Sequence, residues 1–130
     1  MTDTPQKGRP LSPHLQVYRF HLTMAVSILH RITGVGLGIV ALLVAWWFIA
    51  LAVSDSQFAL ANGLLTSWIG HLVLIGGLWA FWHHFLNGIR HLFWDKGLFL
   101  ELPAAEMGAR IVIFGAPGLT ALTVFLVIIG

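Results

Sequence analysis

Twenty-two consecutive residues, from Ile32 to Val53, read ITGVGLGIVALLVAWWFIALAV and contain no charged side chain. A hydrocarbon core of about 30 Å is crossed by about 20 helical residues, so this stretch is long enough to span a membrane. Together with the partly polar residues that precede it, this stretch predicts a first span at about residues 24–53. Two further apolar stretches predict spans at about residues 68–94 and 111–129. Because backbone groups in lipid must be satisfied within their own segment, all three spans are predicted to be helices.

The composition is typical of an integral membrane protein. The chain is 58% hydrophobic and 9% charged, with a mean hydropathy of +0.87, whereas a soluble domain carries about 25% charged residues. We expect an all-α domain of three transmembrane helices at residues 22–130. A tail and an interfacial lead-in to the first helix are expected at residues 1–21. The formal net charge is only +2, so no nucleic-acid partner is expected.

The basic residues predict the orientation. All seven Lys and Arg residues flank the predicted inner ends of the spans, and the predicted outer loop from Ser54 to Ser67 holds none. By the positive-inside rule, the N-terminus is cytoplasmic and the C-terminus lies outside. Residues 1–13 have neither the apolar core of a signal peptide nor the composition of a transit peptide, which favours a bacterial protein or one made inside an organelle. A multi-pass protein of the bacterial inner membrane is expected, in preference to one of the mitochondrial inner membrane. Pro117 is expected to kink the third helix.

Polar and small side chains follow one face of the first predicted helix. At about 100° per residue, four positions lie within an arc of about 60°. These are Ser27, Arg31, Gly34 and Gly38. Two glycines four residues apart allow another helix to approach closely. A charged side chain in the bilayer costs about 2.5–3.5 kcal/mol on insertion scales, so Arg31 is expected to have a partner or a function.

A second polar stripe follows the inner half of the second predicted helix. His84, Gly88, His91 and Asp95 recur on one face of it, at spacings of three or four residues. His84 should lie inside the lipid core, in its cytoplasmic half. His83 points about 100° away from the stripe. It is interpreted as a packing residue, or as one that faces lipid or a partner.

The two stripes share one leaflet and together suit a cofactor with an apolar body and an anionic edge. Haem b is such a group, because its iron takes an axial imidazole and its propionates attract cations. His84 is the predicted iron ligand, and Gly88 would leave room for the macrocycle. His30, Arg31 and His91 are predicted to meet the propionates through charge-assisted hydrogen bonds.

A quinone headgroup is a second ligand that this region would suit. Ser27 and Arg31 could donate hydrogen bonds to its carbonyl oxygens near the interface. An iron held between His30 and His84 within this one chain is also conceivable. It is disfavoured, because His30 is expected to lie a turn or more closer to the cytoplasm than His84.

Three segments together resemble the cytochrome b membrane-anchor subunits of succinate dehydrogenase (complex II). They are RPLSPHLQVYR at residues 9–19, SILHRITG at residues 27–34 and HFLNGIRHLFWD at residues 84–95. The resemblance covers nearly the whole chain, and the order of the last two segments is not a general membrane pattern.

The resemblance implies a place in a larger assembly. Such subunits pair with a second, smaller hydrophobic anchor subunit, and the pair binds one haem b. The pair also docks an iron–sulfur subunit and a flavoprotein on the cytoplasmic side, and electrons from succinate reach ubiquinone. This chain has no cysteine and no flavin fingerprint, so it is expected to have no dehydrogenase activity alone. Its expected contribution is the quinone site.

The resemblance also implies roles for individual residues. His84 matches the axial haem ligand, with a histidine of the partner anchor on the other side of the iron. Ser27 and Arg31 match residues of the ubiquinone site, and Asp95 matches an acidic position close to it. The residues that match the surroundings of the haem propionates are His30, Arg31 and His91.

Two alternatives stay open at this point. One is a haem-free structural anchor of a quinone oxidoreductase, and the other is the anchor of a fumarate reductase. A transporter is disfavoured, since three helices without an internal repeat are too few for that architecture.

Overall fold

The computed structural model describes residues 14–130, and every regular element within them is an α-helix. In chain order the helices are α1 (Leu22–Val53), α2 (Asp55–Leu65), α3 (Trp68–Asp95) and α4 (Leu102–Ile129). The predicted all-α class is therefore confirmed for this part of the chain. The predicted cytoplasmic tail, at residues 1–13, lies outside the described residues.

Three of these helices are long and apolar enough to cross a membrane: α1, α3 and α4. α1 has 32 residues, and α3 and α4 have 28 each. At 1.5 Å per residue these helices are about 42–48 Å long. They exceed a hydrocarbon core of about 30 Å, so their ends extend into the interfacial regions. Three apolar helices of spanning length are thus confirmed, and the cytoplasmic N-terminus stays a prediction.

The helix α4 begins at Leu102, well before the span that was predicted from Ile111. Pro103 lies in the first turn, where its missing N–H would have had no helical partner. Glu106 and Arg110 follow this turn and are charged. They interrupt the apolar pattern, so a search for apolar stretches finds only the part of the helix after them. The apolar pattern therefore located the lipid-crossing part of the helix and missed its start.

Pro117 lies inside α4, and the helix continues on both sides of it. Proline has no N–H, so the carbonyl of Ile113 lacks its usual helical partner. The hydroxyls of Thr120 and Thr123 donate to carbonyls of the preceding turn at 2.8 and 2.7 Å. Such bonds often bend helices. They support the predicted kink, which stays a prediction.

The connection between α1 and α3 is a helix, and its prediction as a loop was wrong. Ser54 caps the amino end of α2, and its hydroxyl accepts from the N–H of Gln57 at 3.3 Å. A serine cap followed by Asp55 is a helix-start signal that the sequence reading passed over. Trp47 of α1 donates its indole N–H to the side-chain oxygen of Asn62 at 3.3 Å. This bond ties α2 to α1.

The long helices α1, α3 and α4 pack against one another pairwise. Their shared core is small, with Val26 of α1 against Ala109 and Val112 of α4. Leu22, Leu86 and Ile113 pack around it. Many large apolar side chains on the outside of the bundle are exposed. Lipid tails or apolar partner helices suit such a surface.

Glycines set the separation of α1 and α3 at two places. A Cβ at Gly34 would lie 3.0 Å from Cε1 of His84, and one at Gly77 would lie 2.9 Å from Cγ2 of Val40. Gly38, predicted to share the contact face with Gly34, has open space beside it. Only Gly34 of that predicted pair therefore lies at the helix contact. Gly77 was not singled out from the sequence.

Replacing Gly77 with alanine is expected to destabilise the protein by about 1–3 kcal/mol, as overpacking does. Val40 cannot easily move away, because a β-branched side chain in a helix has one strongly preferred rotamer. The midpoint of thermal unfolding in detergent measures the effect.

The neighbouring residue offers a matched control for this substitution. Gly76 has nothing within 4 Å of its Cβ position, so Gly76→Ala should leave the midpoint unchanged or raise it slightly, through better helix propensity. Equal losses in the two variants would contradict the proposed contact with Val40.

Candidate functional site

Three histidine rings lie together between the amino-terminal half of α1 and the carboxyl-terminal half of α3. The rings of His30 and His84 are stacked, with centroids 3.9 Å apart and planes 13° from parallel. The ring of His91 is tilted against His30 at 5.2 Å. The structure therefore brings together the three histidines that were predicted as haem-binding residues.

Hydrogen bonding sets the orientation of the His84 ring. Its Nδ1 lies 3.1 Å from the carbonyl oxygen of His30 and 3.5 Å from the hydroxyl of Thr33. A carbonyl oxygen only accepts, so Nδ1 carries the proton in this bond and Nε2 keeps its lone pair. Histidines that bind metals are commonly oriented in this way, through a hydrogen bond from the other ring nitrogen.

The rings of His30 and His84 meet, although His30 is expected to lie a turn or more closer to the cytoplasm than His84. Stacking at 3.9 Å brings the two rings to one level, and the difference in depth between the two backbone positions stays a prediction. Gly34 allows α1 and α3 to approach closely, and two long side chains can meet although they start from different levels. The stacked faces leave no space for an iron between ring nitrogens. An iron shared by His30 and His84 is therefore not supported by this arrangement.

The space beside α3 near His84 fits the predicted role of this residue as a haem ligand. Open space lies beside Gly88, one turn along α3, as room for a macrocycle requires. Within residues 14–130, no three His, Cys, Asp or Glu side chains are grouped to hold a metal ion. A metal bound by His84 would therefore need further ligands from outside this group of side chains.

Ser27 and Arg31 line one cavity of about 400 Å³ at the end of the bundle where α1 begins and α3 ends. Trp94 of α3 forms another part of its wall. The other lining residues are Tyr18, Phe20, Thr23, Met24 and Ile28. Ser27 is half-buried and Arg31 is exposed, so a hydroxyl and a guanidinium are available to a ligand that enters here.

Asp95 lies apart from that cavity. It is the last residue of α3, it is exposed, and it is not among the lining residues. Of the three predicted quinone-site residues, the structure thus brings together Ser27 and Arg31. Asp95 follows Trp94 directly in the chain and lies near the same end of the bundle.

Another polar stripe of α3, on a different face from His84, is buried inside the bundle. His83, Asn87 and Arg90 are 1%, 0% and 7% exposed. Both ring nitrogens of His83, Nδ2 of Asn87 and Nε of Arg90 lack a hydrogen-bond partner. His83 therefore faces the bundle interior, in agreement with the packing interpretation and not with a lipid-facing one. Sequence reasoning missed Asn87 as a functional candidate and used Arg90 only for topology. Their spacing of i, i+4 and i+7 was the available signal.

The guanidinium of Arg90 has three neighbours. Nη1 donates to Oδ1 of Asn87 at 3.0 Å, and Nη2 donates to the carbonyl of Ala105 on α4 at 3.4 Å. Cζ lies 3.9 Å from the centroid of the Trp94 ring. A Cβ at Gly108 would lie 3.4 Å from Arg90, so the small residues of α4 make room for this large side chain.

Ion pairing is sparse in the described part of the chain. In residues 14–130 one carboxylate lies within 4.0 Å of a basic side chain, at 3.2 Å between Glu106 of α4 and His21. Arg90 therefore has no carboxylate partner within the described residues. His71, near the amino end of α3, is exposed and contacts the carbonyl of Ser67 at 2.9 Å.

Comparison with known proteins identifies the family. Residues 5–128 match the family model described as "Succinate dehydrogenase/Fumarate reductase transmembrane subunit". The succinate dehydrogenase cytochrome b556 subunit of Paracoccus denitrificans is 44% identical over 123 residues, which is 95% of each chain. The corresponding subunit of Rickettsia bellii is 41% identical over 110 residues, 82% of this chain and 86% of that one. The mitochondrial cytochrome b560 subunit of Sus scrofa is 36% identical over 114 residues, 82% of this chain and 64% of that one. This chain belongs to the family of succinate dehydrogenase cytochrome b membrane-anchor subunits.

Proposed function

We propose that this chain contributes the quinone-reduction site and one haem b ligand to a succinate:ubiquinone oxidoreductase of the bacterial inner membrane. The observation that carries the proposal is the grouping of two sets of residues at one end of the bundle. His30, His84 and His91 form one set, and Ser27 and Arg31 line a cavity beside it.

In this proposal His84 would hold the haem iron through Nε2, together with a histidine of the second anchor subunit. The hydrogen bond from Nδ1 to the carbonyl of His30 orients the ring and increases its basicity as a ligand. His30, Arg31 and His91 meet the propionates. A bound haem supplies a one-electron carrier within the membrane.

Ser27 and Arg31 act on the quinone. The Ser27 hydroxyl donates a hydrogen bond to a carbonyl oxygen of the ring, and the Arg31 guanidinium stabilises the negative charge that the oxygens gain on reduction. Asp95 is the proposed acidic residue near the entrance, since it follows Trp94 of the cavity wall.

The remaining chemistry comes from partner subunits. Succinate oxidation requires a flavoprotein, and electron transfer to the quinone requires an iron–sulfur subunit. Both are proposed to dock on the cytoplasmic side, where the basic residues lie. The exposed apolar side chains of the bundle are proposed to contact the second anchor subunit and the lipid bilayer.

Ser27→Ala provides the first test of this function. The substitution should lower succinate:ubiquinone turnover of the purified complex about 2–10-fold, because one neutral hydrogen bond to the substrate is lost. Reduction of an artificial dye by succinate should not change, because the dye accepts electrons before the quinone site.

Ser56→Ala is the control, since Ser56 is exposed on α2, the short helix outside the spans, and should change neither activity. Unchanged quinone turnover in Ser27→Ala and in Arg31 variants would contradict the proposed site. Menaquinone in the extracted lipid, together with net fumarate reduction, would favour a fumarate reductase anchor. A purified complex without a haem spectrum would favour a haem-free anchor.

A further inference from the structure

We propose that Arg90 is a positioning residue for the quinone cavity, and that it acts by fixing the ring of Trp94 in the cavity wall. The proposal rests on the proposed function, since it assigns that cavity to the quinone. It concerns a residue that does not itself line the cavity.

The guanidinium of Arg90 is fixed from two helices. Asn87, one turn earlier on α3, accepts from Nη1 at 3.0 Å, and the carbonyl of Ala105, in the first turn of α4, accepts from Nη2 at 3.4 Å. The side chain is 7% exposed. An arginine that extended to the headgroups would be exposed at its charged end. Arg90 instead turns into the bundle and has a defined position there.

The Trp94 ring is constrained on several sides. Cζ of Arg90 lies 3.9 Å from its centroid, and its indole N–H donates to the carbonyl of Phe99 at 3.2 Å. Phe99 has a φ of 59°, an uncommon backbone conformation for a residue with a bulky side chain. The ring of His91 meets the indole edge-on at 5.1 Å. The same indole lines the cavity with Ser27 and Arg31.

The contact with the Trp94 indole helps to stabilise the buried charge of Arg90. Within residues 14–130 no carboxylate lies within 4.0 Å of it. A cation–π contact is strongest where the cation is shielded from water. Asn87, the Ala105 carbonyl and the Trp94 ring are thus the groups that stabilise this buried cation. Arg90 and Trp94 are therefore expected to fix each other's position.

The expected kinetic effect follows from the kind of contact that Trp94 makes. An indole in a cavity wall packs against a quinone equally well before and during reduction. Losing such a contact raises KM and changes kcat little. Ser27 and Arg31 differ, because they stabilise charge that develops during reduction, and their loss lowers kcat.

The test measures KM and kcat for a short-chain ubiquinone with the assembled four-subunit complex. Arg90→Gln should raise the quinone KM about tenfold, from loss of a buried cation–π contact, with kcat changed less than about twofold. Arg90→Lys should restore part of the change, since a lysine keeps the charge and lacks the planar face. Asn87→Ala should raise KM less than Arg90→Gln, because it removes one acceptor of the guanidinium and keeps the contact between Arg90 and the Trp94 ring.

A double-mutant cycle tests whether Arg90 acts through the indole. Trp94→Leu should raise KM by itself, and adding Arg90→Gln to it should raise KM no further, because residues that act as one unit are not additive. Succinate-to-dye activity reports assembly in every variant. Arg110→Gln, which removes an exposed arginine of α4, is the matched control and should leave both kinetic constants unchanged.

Three results would overturn the proposal. One is an unchanged quinone KM in Arg90→Gln and Asn87→Ala while Ser27→Ala lowers turnover; this would leave the proposed function standing. Another is additive effects of the Arg90 and Trp94 substitutions. The third is loss of dye activity in Arg90→Gln, Arg90→Lys and Asn87→Ala alike, which would assign Arg90 to folding of the bundle. No effect of Ser27 and Arg31 substitutions would instead reject the proposed function itself.

Discussion

Leucine in place of His84 is expected to abolish the b-type band in a dithionite-reduced minus oxidised spectrum of the purified complex. The imidazole Nε2 is the proposed axial ligand, and leucine has no donor atom to replace it. The hydrogen bond from Nδ1 to the His30 carbonyl would also be lost. A band that persists in shifted or high-spin form would mean that the haem stays bound through its other contacts, which still assigns the ligand to His84.

The adjacent histidine provides a closely matched control. His83→Leu makes the same change one residue earlier, at a position buried inside the bundle. Both of its ring nitrogens lack a partner, so an apolar replacement should be neutral or stabilising. The haem band should therefore be unchanged in His83→Leu. Loss of the band in His83→Leu and its survival in His84→Leu would assign the ligand to His83.

Arg31→Leu is expected to lower succinate:ubiquinone turnover about 10–100-fold, because hydrogen bonds to charged groups contribute about 1.5–3 kcal/mol. Leucine is close in bulk to the aliphatic part of arginine, and the rest of the cavity wall is unchanged. Arg31→Lys keeps a cation and should lose less, since it lacks only the planar fork of donors. The measurement is quinone turnover beside succinate-to-dye activity in the same preparation.

The control for this substitution is Arg110→Leu, which also removes an exposed arginine from the chain. It should leave quinone turnover unchanged. An equal fall of quinone and dye activities in Arg31→Leu would indicate a defect of assembly, against a role in quinone reduction. A full loss of the haem band in Arg31→Leu would assign the residue mainly to haem binding.

The apolar pattern determined the fold class and the three long helices. In lipid a segment must satisfy its own backbone, so a long uncharged stretch has one stable form, the helix. The same pattern located α1 and α3 closely. It failed at the start of α4, where Pro103 and two alanines begin a helix outside the apolar stretch, and at α2, where the start signal is the cap Ser54.

Helical spacing also determined much of the candidate site. It placed Ser27 with Arg31 on one face, and both line a single cavity. It placed His84 with His91 on one face, and both contact His30. Spacing was sufficient for these pairs, since residues three, four or seven apart share a face of a helix whatever surrounds it.

The tertiary structure alone decided how the faces meet. Spacing shows that His83, Asn87 and Arg90 share a face of α3, but it does not show that this face packs against the small residues of α4. Nor does it show the stacking of His30 on His84, or the contact of Gly77 with Val40, because these depend on the distance and tilt between helices. Two residues on different helices meet only when close packing brings their faces together, and that packing is a property of the whole bundle.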